Sequence, residues 1–290
     1  MSVVSSPSER PAAKSGSKVI VDGGASVRFE NSYGKTILKD LYQRDPVRIL
    51  FPNNPPDEIV TGVLTTTSGG LVGGDVIKVS VDAGDDTRSM VVAQAAEKVY
   101  RSTGADCLID ITVRAAEGAW FEWLPQETIL HQGARMRRTT RLELTGGARV
   151  LAGEILVFGR HAMGEQMTEG LVRECWQISR DGRAMWADAF YLDGNLDQVI
   201  GHAAGLRGAA GIASAVYVAP DADRDLMLAR DLLAEHPRIK TAATLVNGVL
   251  LVRWLGHDVF SMRNAFGEFW RKFRYAVGGH PENLPRLWDV

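Results

Sequence analysis

The sequence predicts a mainly β protein with about two α-helices, both in the C-terminal third. Three observations carry this. Short segments rich in Val, Ile, Thr, Phe and Trp follow one another from about residue 18 to 218, and nearly every gap holds Gly, Pro, Asp or Asn. Two pairs of segments meet at Asp181-Gly182 and Asn247-Gly248, the residue pairs that close tight β-hairpins. Two helices stand out, and both lie after residue 220.

The strand candidates in order are Val27–Asn31, Val47–Phe51, Ile59–Thr67, Val76–Asp82, Ser89–Ala95, Cys107–Arg114, Ala119–Leu124, Arg135–Leu144 and Arg149–Phe158. Hairpins follow at Glu174–Ser179 with Ala184–Phe190 and at Thr241–Val246 with Val249–Leu255. Asp221 is placed to cap a helix running to about His236, with Leu226, Ala229, Leu232 and Leu233 as its apolar stripe and Pro237 as its stop. Asp258 is placed to cap a second helix, which Gly278-Gly279 ends. Its face of Val259, Met262, Phe266, Phe269, Trp270 and Phe273 suits core packing or a docking surface for another protein. No fixed-period repeat declares a regular β-helix or propeller. Residues 1–18, rich in Ser, Pro and Lys, read as a disordered tail without the apolar segment of a signal peptide. No linker interrupts residues 19–290, which read as one domain.

Composition removes several function classes. The 33 basic and 35 acidic residues nearly cancel, so bulk charge gives no support for nucleic acid or an anionic membrane as partner. No apolar run reaches the roughly 18 residues of a spanning helix, and a cytoplasmic protein is expected. Cys107 and Cys175 stand far apart in apolar, strand-like contexts, so buried free thiols are expected and a disulfide framework is not. The six histidines are scattered, with no His-x-His or His-Glu-x-x-His spacing, and write no high-affinity zinc or nickel cage.

The densest chemical stretch is Trp120 to Gln132. As a strand, Trp120 and Glu122 share one face, and Phe121 and Trp123 the other. Pro125 ends the strand and delivers Gln126 and Glu127 to a polar interior surface. The loop Ser68-Gly69-Gly70-Leu71-Val72-Gly73-Gly74-Asp75 lacks the spacing of a phosphate-binding loop, and Asp75 would repel phosphate. Its glycines allow close backbone approach and fix Asp75, either as a turn cap or as a wall residue. Ala93 to Arg101 reads as a surface segment with local Glu97–Lys98 pairing. Arg160 and Glu165 flank a glycine-bounded turn, as partner contacts or as an ion pair.

Taken in order, Gly-Gly-Leu-Val-Gly-Gly-Asp (69–75), Gln-Ala-Ala-Glu-Lys-Val-Tyr-Arg (94–101), Trp-Leu-Pro-Gln-Glu-Thr-Ile-Leu (123–130) and Phe-Gly-Arg-His-Ala-Met-Gly-Glu (158–165) resemble the urease accessory protein family UreD, called UreH in some bacteria. The likeness runs from about Val27 to Trp270. Three positions depart from the family's habit: Ser68, Val92-Ala93 and His131. The resemblance implies a layered, solenoid-like stack of β-sheets and no enzymatic activity. It further implies binding to UreF, which carries UreG, contact with the urease apoprotein, and delivery of nickel through an internal channel. No cofactor is then held tightly, and Ni²⁺ is only in transit.

A transiting Ni²⁺ suits weak oxygen ligands at several places better than a Cys/His cage. Acidic residues at glycine-rich or strand-end positions are Asp75, Glu97, Glu122, Glu127, Glu154, Glu165 and Asp188. Of these, Asp75, Glu127, Glu165 and Asp188 are the candidate transit ligands. Arg160, Phe266, Trp270 and Phe273 are the candidate partner contacts. The rival is a β-rich carbohydrate hydrolase that uses a carboxylate pair such as Glu122 and Glu127, with tryptophans stacked on sugar. It requires an open cleft with exposed indole faces.

Overall fold

A computed structural model describes residues 21–55, 57–233 and 235–288. The expected N-terminal tail, residues 1–18, lies outside the described residues. In chain order the strands are β1 (Asp22–Ser32), β2 (Lys35–Arg44), β3 (Val47–Leu50), β4 (Val60–Thr66), β5 (Val76–Ala83), β6 (Arg88–Ala93), β7 (Glu97–Val99), β8 (Cys107–Ala115), β9 (Trp120–Leu124), β10 (Thr128–Leu130), β11 (Arg135–Leu144), β12 (Arg149–Phe158), β13 (Glu169–Arg180), β14 (Arg183–Asn195), β15 (Gly211–Val218), β16 (Ile239–Val246) and β17 (Val249–Gly256). The helices are α1 (Leu196–Gly201), α2 (Leu226–Asp231) and α3 (Val259–Gly278). The protein is mainly β, as the punctuation of the sequence predicts.

Two sheets are stacked. The first runs β14-β13-β11-β8-β5-β1-β2, and the second runs β16-β17-β15-β12-β9-β6-β4-β3, with β10 and β7 alongside β12. From β4 to β13 the longer strands alternate between the sheets, and each pairs in parallel with the next strand of its own sheet. The chain therefore winds as a solenoid. Val76 lies beside Leu108, Leu108 beside Arg137, and Arg137 beside Arg173, so the coils differ in length. Unequal coils are why no fixed repeat shows in the sequence.

Side-chain alternation along the strands builds two cores. Between the sheets lie Val79, Val81, Ile111, Val113, Phe121, Trp123, Leu142, Val150 and Ala152. On the outer face of the second sheet, Trp120, Leu124, Leu151, Tyr217 and Trp254 meet Phe266, Phe269, Trp270 and Phe273 of α3. Strand β12 is buried on both faces, which explains its nearly continuous apolar run. Gly153 on β12 makes room for the helix, because a Cβ there would stand 2.6 Å from the Phe266 ring.

Both hairpin turns form as predicted. Asp181 and Gly182 have φ of 50° and 73°, and Asn247 and Gly248 of 48° and 77°. Asp258 caps α3 by accepting from the backbone N–H groups of Phe260 and Ser261, and Gly279 closes it at φ 65°. The helix expected from Asp221 to about His236 is shorter. A 3₁₀ turn over Ala222–Asp225 precedes α2, and the Asp221 side chain makes no cap. Asp221 is instead engaged by Arg149, which reaches it from β12 at 2.8 Å. The sequence reading misses β2, whose residues are mostly exposed and show no apolar alternation, the three-residue β7 and β10, β15, and the six-residue α1.

Helix α3 is joined to the second sheet by a buried charge cluster. The Glu122 carboxylate is fully buried and accepts from Trp120 Nε1 (2.9 Å), Trp270 Nε1 (2.7 Å) and Arg274 Nε (2.9 Å). Arg274, also fully buried, donates onward to Glu58 (2.7 Å) and to the Pro281 carbonyl (2.7 Å). Burial opposes the Arg274 charge, but Glu122 and Glu58 outweigh it and raise the guanidinium pKa. Nearby, the buried His280 ring lies 4.6 Å from Trp120. Burial, then Arg274 and Arg88, lower its pKa from 6.5 to about 4.

A histidine with a depressed folded pKa is protonated first in the unfolded chain. Its stability contribution is complete above about pH 6.5 and is lost as pH falls towards 4. The loss is on the order of 3 kcal/mol. Urea unfolding from pH 7 to pH 4 is expected to show a shallower fall in stability for His280→Gln than for the wild type. Identical slopes would contradict the assignment.

Candidate functional site

The core between the sheets is interrupted by a line of polar side chains. Each comes from a core-facing position of its strand. On β11 the inward positions read Met136, Arg138, Thr140, Leu142 and Leu144. On β12 they read Val150, Ala152, Glu154, Leu156 and Phe158. On β13 they read Val172, Glu174, Trp176 and Ile178. Arg138 and Glu174 are direct neighbours across the parallel β11–β13 pairing, and Glu154 faces them from the other sheet.

Arg138 is the hub. Its Nε donates to Glu174 Oε2 at 2.6 Å, and its Nη1 donates to Thr128 Oγ1 at 2.9 Å. Its Nη2 lies 2.7 Å from Glu154 Oε2, but neither atom has a hydrogen bond of good geometry. The contact is Coulombic and poorly directed. Glu174 Oε1 lacks a hydrogen-bond partner, and Glu154 and Trp123 Nε1 lie close enough to interact but form no hydrogen bond of good geometry. Burial pushes both carboxyl pKa values up, while Arg138 works against that shift. Burial likewise disfavours the Arg138 charge, but Glu154 and Glu174 more than compensate, so its pKa is raised.

Three hollows adjoin this seam. One of about 280 Å³ lies on one side, lined by Thr66, Gly70, Gln94, Glu97, Arg138 and Glu154 among others. A small hollow of about 30 Å³ lies between Glu154, Glu174, Trp176, Asp188 and Ser214. A third, of about 400 Å³, is lined by Asp188, Ser214, Lys240 and Arg253. The first two share Glu154, and the last two share Asp188 and Ser214. The smallest has room for about one or two waters.

Glu97 is not the surface residue that its Glu–Lys context suggests. It accepts from Thr66 Oγ1 at 2.7 Å and lines the first hollow, where burial raises its pKa. Asp188 stands at the far end of the line, paired with Arg253. The other candidate ligands are placed elsewhere. Asp75, only 2 % exposed, accepts from the backbone N–H groups of Val21 (3.0 Å) and Val72 (2.8 Å), and the first hollow is not lined by it. Gly73 permits this fold-back, since a Cβ there would lie 2.3 Å from the Ala105 carbonyl. Glu127 pairs with Arg263 of α3 at 2.8 Å. Glu165 pairs with Arg160 and accepts from the Gln132 backbone N–H at 3.1 Å. Among the described residues, no three His, Cys, Asp or Glu side chains converge as a metal cage.

The structure also corrects the docking reading of the aromatic face. Phe266, Trp270 and Phe273 are fully buried against the second sheet, because their rings fill the space between α3 and β12, β15 and β17. Of the candidate partner contacts only Arg160 is exposed. Trp120 and Trp123 are 5 % and 2 % exposed and offer no face to a sugar. Glu122 and Glu127 are engaged by Arg274 and Arg263, so the paired-carboxylate cleft of the rival reading does not form. The sequence reading misses Arg138 and Glu174. The signal was present: Glu174 sits at a core-facing parity between Val172 and Trp176, and Arg138 at one between Met136 and Thr140, where a charge needs a partner.

These features define a class: a two-sheet β-solenoid covered by one long helix, with a charged seam enclosed between its sheets. The chain belongs to the family of UreD urease accessory proteins, whose family model matches residues 21–289. It is 45% identical to the urease accessory protein UreD of Magnetococcus marinus, over 93% of this chain and 94% of that one. It is 36% identical to UreD of Azorhizobium caulinodans over 89% and 92% of the two chains, and 35% identical to UreD of Rhodopseudomonas palustris over 92% and 90%. No described helix is long and apolar enough to cross a membrane.

The Asp75 geometry generates a test. Replacing Asp75 by Ala leaves two part-buried backbone donors unpaired and is expected to cost about 1–3 kcal/mol in urea unfolding. Asp75→Asn keeps one acceptor oxygen and is expected to lose less. Equal losses would contradict a capping role.

Proposed function

We propose that this protein is a nickel-delivery scaffold in urease maturation. In this reading residues 19–290 act as one unit in the cytoplasm. The chain binds UreF, and through it UreG, and contacts the urease apoprotein. Ni²⁺ is cargo in transit, and no cofactor is held tightly. Family membership supports the maturation role. The observation that carries the nickel route is the seam of Glu97, Glu154, Glu174 and Asp188, whose side chains line three hollows that share wall residues.

The chemistry suits passage. Carboxylate oxygens with waters suit hard and borderline cations, and isolated carboxylates at intervals hold such an ion less firmly than a Cys/His cage does. Conduction requires binding that is favourable at several sites and strong at none. Asp188 is the transit ligand from the sequence reading that fits this route. Glu97 and Glu154, acidic residues noted in the sequence but not chosen there as transit ligands, and Glu174, not noted there, complete the proposed set. Arg160 is the surface group assigned to partner contact.

The reading is tested by co-expressing the chain with urease and the other maturation proteins at limiting nickel. Glu154→Gln and Glu174→Gln are each expected to lower urease activation about tenfold or more, the scale on which loss of a metal-interacting group acts. The complex is expected to assemble normally by size-exclusion chromatography. Wild-type activation by both variants would overturn the route.

A further inference from the structure

We infer that Arg138 is a built-in placeholder cation: its guanidinium occupies and seals the Glu154–Glu174 position, and a divalent cation passes only by displacing it. This rests on the nickel-route reading. The inference adds how the route is closed when empty and what opens it.

The first ground is position. Arg138 lies between the 280 Å³ hollow, which it lines, and the 30 Å³ hollow formed by Glu154 and Glu174. A cation moving from one hollow to the next meets the guanidinium at the carboxylates that would otherwise receive it. The second ground is unused ligand capacity. Neither oxygen of Glu154 has a hydrogen bond of good geometry, the Trp123 indole N–H being a loose donor beside it, and Glu174 Oε1 has none, although both residues are at least nine-tenths buried. Buried carboxylates with idle lone pairs are costly unless a cation serves them. One guanidinium cannot align with both residues. It donates well to Glu174 and only touches Glu154. A small divalent ion bridging the two carboxylates has no such directional conflict.

The third ground is that Arg138 has somewhere to go. Glu97 lines the same hollow as Arg138, and its carboxylate is held on one side by Thr66 Oγ1. A guanidinium swung out of the Glu154–Glu174 position remains beside an anion. Displacement is therefore an exchange of partners for Arg138. In the empty state the same residue favours the ionised form of both carboxyls against the burial that pushes their pKa values up.

The test uses the full chain in its co-expressed complex, with Ni²⁺ alone as probe in equilibrium dialysis. Arg138→Met removes the charge while keeping an unbranched, flexible side chain, two atoms shorter than arginine. It is expected to retain nickel at least about tenfold more tightly than the wild type, the scale of removing one adjacent positive charge inside a protein. The gain is expected to vanish when Glu154→Gln and Glu174→Gln are added, and Arg138→Lys is expected to bind as weakly as the wild type. Arg138→Met is also expected to lower urease activation, because nickel enters and does not leave. Should Arg138→Met fail to fold, the wild type supplies the readout. With ¹⁵N-labelled arginine, the Arg138 Nε–H signal is expected to lose its hydrogen-exchange protection as Zn²⁺, a diamagnetic stand-in, is added. Unchanged nickel retention in Arg138→Met, or unchanged protection under saturating Zn²⁺, overturns the seal. If Glu154→Gln and Glu174→Gln still lower activation in that case, the route stands and only the seal is wrong. If none of the three substitutions alters activation, the route itself is wrong and the seal with it.

Discussion

A guanidinium held between two carboxylates from opposite sheets is the constraint around which this protein is arranged. Arg138, Glu154 and Glu174 are all within the apolar space that holds the sheets together. Breaking such a pair by removing one partner typically costs about 3–5 kcal/mol, because the remaining charge stays buried. Replacing the whole set with well-packed apolar residues is often neutral or stabilising. A fold seeking stability alone therefore has no need of this seam. Its presence between the sheets calls for a use for charge there, and the proposed cation in transit would supply one.

The outer layer handles charge differently. Glu122 makes good hydrogen bonds to two indoles and one guanidinium, and its oxygens are fully served. Arg274 carries the network onward to Glu58 and to backbone carbonyls beyond the helix. A satisfied buried network rigidifies, and a partly satisfied one stays open to exchange. The contrast between Glu122 and Glu154 is thus one of role. The first fastens α3 and its aromatic face to the second sheet. The second is left with capacity for a further ligand.

Much of this was legible in the sequence. Punctuation by Gly, Pro, Asp and Asn located the central strands, and both hairpin turns form where Asp-Gly and Asn-Gly stand. Alternation correctly put Trp120 with Glu122 on one face and Phe121 with Trp123 on the other. Less legible was how each carboxylate is engaged. Asp75, Glu127 and Glu165 attract notice because they sit beside glycines or a proline. In the fold these acids are engaged by backbone N–H groups and arginines, most of them distant in the chain. Glu174 and Arg138 lie mid-strand and look ordinary among their neighbours. Only the parity of the strand shows that they point inward, and only the stacking of two unequal coils shows that they meet. The aromatic face of α3 was ambiguous for a related reason, since a stripe of rings is written alike for a core and for a docking surface.

The most direct measurement of the central claim is nickel K-edge anomalous diffraction from crystals of the accessory complex soaked in Ni²⁺. The account predicts an anomalous peak between the Glu154 and Glu174 carboxylates, with the Arg138 side chain displaced towards Glu97. Peaks confined to surface histidines, with Arg138 still seated between the two carboxylates, would contradict it.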